Sequence, residues 1–226
     1  VLCRPEGVNG EKEPRWDALE AGTAVPGLPP VEILVWVGDN IGDFPDLDQM
    51  EVLDLGGVPQ YWIDAPVRPA HVTTVNVVDI ATDESWIASE IGDACSVETL
   101  AARSFDLVVS NSTIEHLGGV ARRAEFAEVV HAAAGRWWIQ TPYRYFPIEP
   151  HWLFPGFQFL PLRARVAVTR AWPLGYRNTS SSGDAYDLVQ EVELVTITEL
   201  SHLFPEGEVW RERMGGLVKS IVAVRS

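Results

Sequence analysis

Glu51-Val52-Leu53-Asp54-Leu55-Gly56-Gly57-Val58-Pro59-Gln60-Tyr61-Trp62 is the stretch from which the fold of this chain is read. The apolar run Val52–Leu55 stops abruptly at two glycines. Short apolar runs bounded by glycine form buried strands, and paired glycines let a backbone turn tightly and approach a ligand. In open α/β sheets, ligands bind at the carboxyl ends of strands. The stretch therefore predicts a nucleotide-like cofactor on Gly56-Gly57. The rest of the chain must then supply a ribose acceptor, a pocket for the base and a reacting group.

Working outward, Val72-Thr73-Thr74-Val75-Asn76-Val77-Val78-Asp79 is β-branched almost throughout and ends on a carboxylate. Ile91-Gly92-Asp93-Ala94-Cys95 follows the polar, tryptophan-bearing segment Ala81–Glu90, and Ser104–Ser110 reads as a third buried strand. Arg122–Ala133 carries Phe126, Val129, Val130 and Ala133 at helical spacing. Arg136–Thr141 is the next strand, stopped by Pro142. Near the end, Thr198 is the expected cap of a helix over Glu199–Leu203. Glu208–Arg213 and Lys219–Val224 read as strands joined through Gly215-Gly216. This alternation predicts the α/β class, a mainly parallel sheet with helices on both faces.

Two regions break the pattern. Residues 1–48 are dense in proline and glycine and are expected to form an irregular arm or cap, with Glu32–Val37 a short strand or buried helix. Tyr143–Pro173 dissolves into aromatics, prolines and arginines and is expected to be a packed loop or lid without regular helix or strand. Residues 178–184 read as a polar turn. The domain is thus placed at 49–226, with an aromatic substrate loop at about 141–175.

The 226 residues suffice for one domain with a self-sufficient core. Hydrophobic residues make up 46% and the mean hydropathy is +0.02, too apolar for disorder. No apolar run reaches the ~18 residues of a membrane span, and no signal-peptide pattern is read at the N-terminus. A net charge of −15 repels phosphate backbones and anionic membranes, so neither nucleic acid nor membrane is expected as partner. A neutral or cationic small molecule fits better. Cys3 and Cys95 have neither metal-like nor framework spacing, so a cytoplasmic protein with reduced thiols is expected.

Four strand ends line up as a candidate cofactor site: Gly56-Gly57, Asp79, Asp93-Ala94 and Ser110-Asn111-Ser112. A carboxylate about 20 residues beyond the glycines, at the next strand's end, can accept both hydrogens of a ribose diol, and Asp79 follows Gly56 by 23 residues. Each element has a plainer reading taken alone: a turn for Gly-Gly and for Asp93, a helix cap for Asp79. Their joint order is what favours the cofactor.

The pieces Val52–Gly57, Val77-Val78-Asp79-Ile80, Gly92-Asp93-Ala94 and Phe105–Leu117 resemble class I S-adenosylmethionine-dependent methyltransferases, within these the small-molecule group called type 11. The likeness covers about residues 50–225. The stretch Gln140–His151 is similar to a bacterial subset of that group. The resemblance implies a Rossmann-like seven-stranded sheet with the last strand antiparallel, and S-adenosylmethionine as cofactor. It implies that Gly56 and Gly57 contact the methionine part and Asp79 the ribose hydroxyls, with Ile80 against the adenine. Asp93 and Ala94 would meet the adenine edge, and Ser110, Asn111 and Ser112 the sulfonium side. The family's glycine loop usually alternates glycine further on; here Val58, Pro59 and Gln60 take those places. The nicotinamide fingerprint G-x-G-x-x-G is absent.

Methyl transfer to a weakly acidic hydroxyl is helped by a general base near neutral pKa. Of five histidines, His116 and His151 fall where the site is expected, and His151, flanked by Glu149 and Trp152, is the favoured base. Glu149 could orient His151 or join a metal site, and His116 could act directly or pack the next helix. Two carboxylates with a histidine can hold Mg²⁺, but no residues have a ligand spacing that requires a metal. The aromatic loop, with Tyr143, Tyr145 and Trp152 as substrate contacts, suits a neutral ring-bearing acceptor, with a saccharide hydroxyl favoured over a phenol, carboxylate or nitrogen. A homodimer is one option for assembly. A cofactor-binding but non-catalytic partner subunit is the rival reading, motivated by the irregular Gly-Gly-Val-Pro loop.

Overall fold

The β-branched and aliphatic runs assemble into one sheet in the computed structural model, which describes residues 44–100, 102–177 and 179–226. The expectations for the arm before residue 44, including Glu32–Val37, lie outside the described residues. Seven strands make the sheet: β1 (Glu51–Leu55), β2 (His71–Asn76), β3 (Ile87–Ile91), β4 (Leu107–Asn111), β5 (Trp137–Pro142), β8 (Glu208–Met214) and β9 (Leu217–Arg225). Their order is β3-β2-β1-β4-β5-β9-β8. β1 to β5 are parallel, while β9 pairs antiparallel with both β5 and β8. The last strand is antiparallel, as the resemblance implied.

Period-two alternation sends successive side chains of each strand into two different cores. Leu53, Leu55, Val108, Ile139, Ile221 and Ala223 face one side. There α3 (Val120–Ala133) lays down Phe126, Val129, Val130 and Ala133, and α6 (Ile197–Leu203) adds Leu200. The short α2 (Val97–Leu100) contributes Leu100. Val52, Val72, Leu107, Val109, Trp138, Val222 and Val224 face the other side, met by Trp62 of α1 (Pro59–Ile63), Trp86, Phe44 and Leu47. Phe44 and Leu47 are fully buried, so the arm assigned to residues 1–48 already belongs to the domain at its end. Arg123 of α3 is buried too, held by Glu193 at 3.1 Å and Glu199 at 2.8 Å, which ties α3 to α6.

Several sequence expectations are refined or corrected. Ala81–Glu90 was read only as a polar, tryptophan-bearing segment, but Ile87–Glu90 belong to β3, an edge strand whose outer residues need no apolar character. The region 143–173 is not irregular either. A small hairpin, β6 (Ile148–Glu149) with β7 (Phe154–Pro155), is followed by α4 (Leu162–Ala171). Then α5 (Ser182–Gln190) begins inside the predicted polar turn, with Ser181 accepting from Asp184 N as its cap. These elements pack around their own core of Trp152, Phe157, Val189, Val192 and Leu194. The segment leaves the sheet at Tyr143 and returns at Val195, and these two residues form a β-bridge. It is a closed cap inserted between β5 and α6. The α6 cap is Thr196, which accepts from Glu199 N, not Thr198.

Phe126 is wholly buried between α3 and the sheet, whereas Val120 on the same helix is 66% exposed. Phe126→Ala is expected to cost about 3–5 kcal/mol, and Val120→Ala no more than about 0.5 kcal/mol, both read by urea unfolding.

Candidate functional site

The chain runs β1, β2, β3 outward in one direction and then returns to place β4 on the other flank of β1. The gap above the carboxyl ends of β1 and β4 is therefore the topological switch point, where open α/β sheets bind ligands. Gly56 follows β1 there with φ +86°, a left-handed conformation that glycine adopts freely. A Cβ on Gly57 would lie 1.8 Å from Oδ2 of Asp54, so only glycine fits. Asn76, the last residue of β2, donates through Nδ2 to the carbonyls of Gly56 (3.1 Å) and Gly57 (3.3 Å) and so fixes the turn from the neighbouring strand.

Asp54 lies beneath this turn, fully buried, accepting a 2.7 Å hydrogen bond from Trp62 Nε1. Burial raises its pKa to about 7, against the smaller opposing effect of the Trp62 bond. Asp54 and Asn76 were not singled out in the sequence. A lone Asp within an apolar strand was the available signal for the first; the second carried none.

The other predicted cofactor residues follow or end the neighbouring strands β2, β3 and β4. Asp79 is exposed, three residues beyond the end of β2, and its carboxylate has no hydrogen bond or ion pair among the described residues. Ile80 is half-buried beside it, and Ala94 is buried. Asp93 accepts from Cys95 N at 2.9 Å and pairs with Arg122 at 2.5 Å, so the turn-forming reading holds for it as well. A cavity of about 250 Å³ adjoins Gly92 and Asp93, walled by Val75, Ile91 and Leu100. On β4, Asn111 Nδ2 donates to the Tyr61 hydroxyl at 3.4 Å. Ser112 sits at φ +54°, a strained conformation for serine, with its hydroxyl on Gln140 Oε1 at 3.0 Å. Ser110 is a correction. Its hydroxyl is wholly buried and donates to the Leu55 carbonyl at 2.8 Å, so it joins β4 to β1 rather than lining the cofactor side.

Two residues beyond Ser112, a 3₁₀ turn at Ile114–His116 presents Glu115 and His116. The turn of the β6–β7 hairpin brings His151 to meet them. His151 Nε2 lies 3.1 Å from His116 Nε2, the rings nearly perpendicular at 85°. On its other side, His151 Nδ1 is 2.7 Å from Glu149 Oε1, and Glu149 Oε2 accepts from Trp152 N. All three residues singled out for chemistry thus converge, and Glu149 orients His151. Glu115, 0% exposed, accepts from the Thr141 hydroxyl through Oε2, while its Oε1 has no hydrogen-bond partner. His116 Nδ1 is also buried without one.

Burial raises the pKa of Glu115, with the charge of His151 opposing. Burial, and then the charge of His151, push His116 well below the usual imidazole range. For His151 burial acts downward, but the charge and hydrogen bond of Glu149, with Glu115, outweigh it and hold the pKa up. Of the two imidazoles, His151 therefore keeps a proton more tightly.

The predicted substrate contacts divide. Tyr145 is 58% exposed and stacks at 6.1 Å on Phe159, itself 54% exposed, while Tyr143 meets Tyr145 edge-on. Trp152, at 1% exposure, is stacked on Phe157 in the cap core, because its large apolar face is worth more there than in solvent, and it forms part of a cavity wall. Beside it lies a cavity of about 250 Å³ with Arg144, Arg165, Gln158 and Glu149 in its wall. Neither Arg144 nor Arg165 has an ion-pair partner among the described residues, and Arg165 Nε is buried without a hydrogen bond. Among the described residues, no helix is long and apolar enough to cross a membrane.

No family model and no curated protein matches this sequence. Solved structures match its architecture. A provisionally assigned S-adenosylmethionine-dependent methyltransferase from Listeria monocytogenes superposes with TM-score 0.50 at 13% identity, over 83% of this chain and 96% of that one. An O-methyltransferase family protein from Burkholderia thailandensis gives 0.53 at 12%, over 84% of this chain; this chain spans about half of it (54%). A Bordetella parapertussis protein named only for suspected export gives 0.53 at 13%, over 93% and 78%. With the strand order above, this likeness defines the fold as that of the class I methyltransferases.

The folded pKa of Asp54 is near 7, above its ordinary value of 3.8, so the folded state holds a proton that the unfolded state releases between those values. Stability conferred by the neutral form is full below about pH 4 and falls as pH rises to about 7, by up to ~4 kcal/mol. Asp54→Asn keeps an acceptor for Trp62 and is expected to flatten this part of the profile, measured by urea unfolding across that range.

Proposed function

We propose that this chain is an S-adenosylmethionine-dependent O-methyltransferase acting on a hydroxyl of a small molecule, a saccharide foremost. The observation that carries the reading is one of placement. The glycine turn at the switch point and the His116–His151–Glu149 group stand at the same carboxyl edge of a class I methyltransferase sheet.

The residues fit the cofactor. Gly57 has a backbone that no Cβ can crowd, Asp79 has a free carboxylate for a ribose diol, and the cavity by Gly92 offers a base the apolar side chains of Val75, Ile91 and Leu100 beside polar groups such as Asp93 and Ser96. When bound, S-adenosylmethionine supplies a strongly activated methyl group, so the protein's task is to align the acceptor and free its oxygen of a proton. Gly56 and Gly57 would take the methionine part, Asp79 and Ile80 the ribose and adenine, Asp93 and Ala94 the adenine edge, and Asn111 and Ser112 the reacting end. The His116–His151 pair, steadied by Glu149, is where the hydroxyl is activated. Such groups are worth roughly 10²–10⁴-fold. The exposed faces of Tyr145 and Phe159 support a sugar or other ring stacked on the cap.

A second reading of the acceptor, one that carries a carboxylate or phosphate, is favoured by Arg144 and Arg165 on the cap cavity. Glu149 and Glu193 stand in the same wall, so the two arginines share the cavity with two carboxylates. A non-catalytic cofactor-binding subunit is the reading from another class.

Calorimetric titration with S-adenosylhomocysteine is expected to show one site, weakened about tenfold or more by Gly57→Ala. No binding to the wild-type chain would sink the proposal. His151→Ala is expected to lower kcat by about 10²–10⁴-fold with S-adenosylhomocysteine affinity unchanged; unchanged turnover would remove His151 from the chemistry. In an acceptor screen of sugars against their uronic acids and phosphates, Arg165→Ala should raise KM for the anionic members alone.

A further inference from the structure

The His116–His151 contact has two physical explanations. Two imidazoles can share one proton between their Nε2 atoms, or both can turn their lone pairs toward a common cation. Around this contact the polar groups are conspicuously incomplete. Glu115 Oε1 is wholly buried without a hydrogen-bond partner, and His116 Nδ1, also buried, has no well-formed bond, with the Glu191 backbone as a polar influence on its ring. A buried acceptor left unpaired is costly, more so when it is charged, and here two poorly satisfied atoms belong to neighbouring residues in one turn. Glu115, His116 and His151 each offer a ligand atom, and these atoms lie within 4.8 Å of one another. Donors on a four-coordinate ion with bonds of ~2.0–2.1 Å are separated by roughly 3.3 Å. The imidazole nitrogens, at 3.1 Å, are already at about that spacing. The Glu115 carboxylate stands within 4.8 Å of both imidazoles.

The outer contacts point the same way. Metal-bound imidazoles usually donate their second N–H to a carboxylate or carbonyl, which fixes the tautomer and orients the ring. His151 has such a partner in Glu149, 2.7 Å from Nδ1, and Glu149 is itself held by Trp152 N. Glu115 is held from behind by the Thr141 hydroxyl, leaving Oε1 as its open oxygen.

We infer that Glu115, His116 and His151 form a binding site for one divalent transition-metal ion, with Glu149 as the outer carboxylate that orients His151. Two nitrogen donors and one oxygen suit zinc, manganese, cobalt or iron(II). They suit magnesium poorly, since it prefers oxygen ligands throughout. Three protein ligands leave a coordination position open, the pattern of catalytic rather than structural sites. What the ion does there rests on the methyltransferase reading; whether it binds does not. With the ion present, the imidazoles hold the metal instead of the proton, and an acceptor hydroxyl on the open position is acidified by the ion directly.

The test uses the untagged full chain, stripped with a chelator and titrated with cobalt(II) while its visible absorption is followed. One equivalent is expected to bind, with the d–d bands of a low-coordinate nitrogen–oxygen site, and zinc is expected to displace it. His116→Gln and His151→Gln should each abolish the bands. Glu149→Gln should keep the stoichiometry while weakening affinity about 10–100-fold. Absence of saturable cobalt, zinc or manganese binding to the wild-type chain overturns the site, as does cobalt binding unchanged in the His116→Gln/His151→Gln double variant. A parallel titration with S-adenosylhomocysteine separates the two proposals. Cobalt uptake without it supports the ion site alone, and its binding without cobalt uptake overturns the ion site alone.

Discussion

The carbonyl of Leu55, the last residue of β1, accepts two hydroxyls, from Ser110 at 2.8 Å and Thr113 at 3.1 Å. Where two parallel strands part to follow different loops, the ladder ends and a buried carbonyl loses its partner. Such a group must be satisfied or the parting is costly. Ser110 of β4 and Thr113, just beyond its end, meet that requirement. In doing so they set where the chain turns to Gly56-Gly57 on one side and to Ile114-Glu115-His116 on the other. The cofactor turn and the histidine group stand close together because both leave from this one junction.

A second constraint operates above it. The cap encloses Glu115 and Glu149 at full burial and two histidines that are partly buried, yet satisfies them unevenly. Glu149 is bonded through both oxygens, whereas Glu115 keeps one oxygen idle. A fold selected for stability alone would replace such a group with an apolar one. Its retention beside strained Ser112 and a pair of facing imidazoles is what sets this edge of the sheet apart from the rest of the core. The cap holds the group in place from the outside: the Glu193 amide donates to the Glu115 carbonyl and Tyr176 N to that of His151.

How far the sequence could be read differs from element to element. β1, β2, β4 and β5 were legible as short apolar or β-branched runs, α3 by its helical spacing of apolar residues, and the closing pair β8–β9 by alternation and an apolar run joined through Gly215-Gly216. β3 was not, since an edge strand can be polar. The cap was read as a loop because its aromatics and arginines follow no period; α4 packs on α5 and the hairpin rather than on the sheet, so its apolar residues answer to a separate small core. Trp152 was taken for a substrate contact and is part of that core. Ser110 was taken for a cofactor contact and is a strand tie. In both cases the residue type was informative and its partner was not, because the partner lies far away in sequence.

The sequence by itself determined the class of fold, the place of the glycine turn, and the candidacy of His116, Glu149 and His151, because these rest on local periodicity, on short spacing and on chemically distinctive side chains. Only the tertiary structure decided that Asp54 stands under the turn, that Asn76 grips it, and that His116 and His151 point their Nε2 atoms at each other with Glu115 alongside. Those relations depend on strand order and on how the cap closes over the sheet. Thirty-five residues separate the two imidazoles along the chain, and no local pattern encodes a distance that is set by where two loops meet.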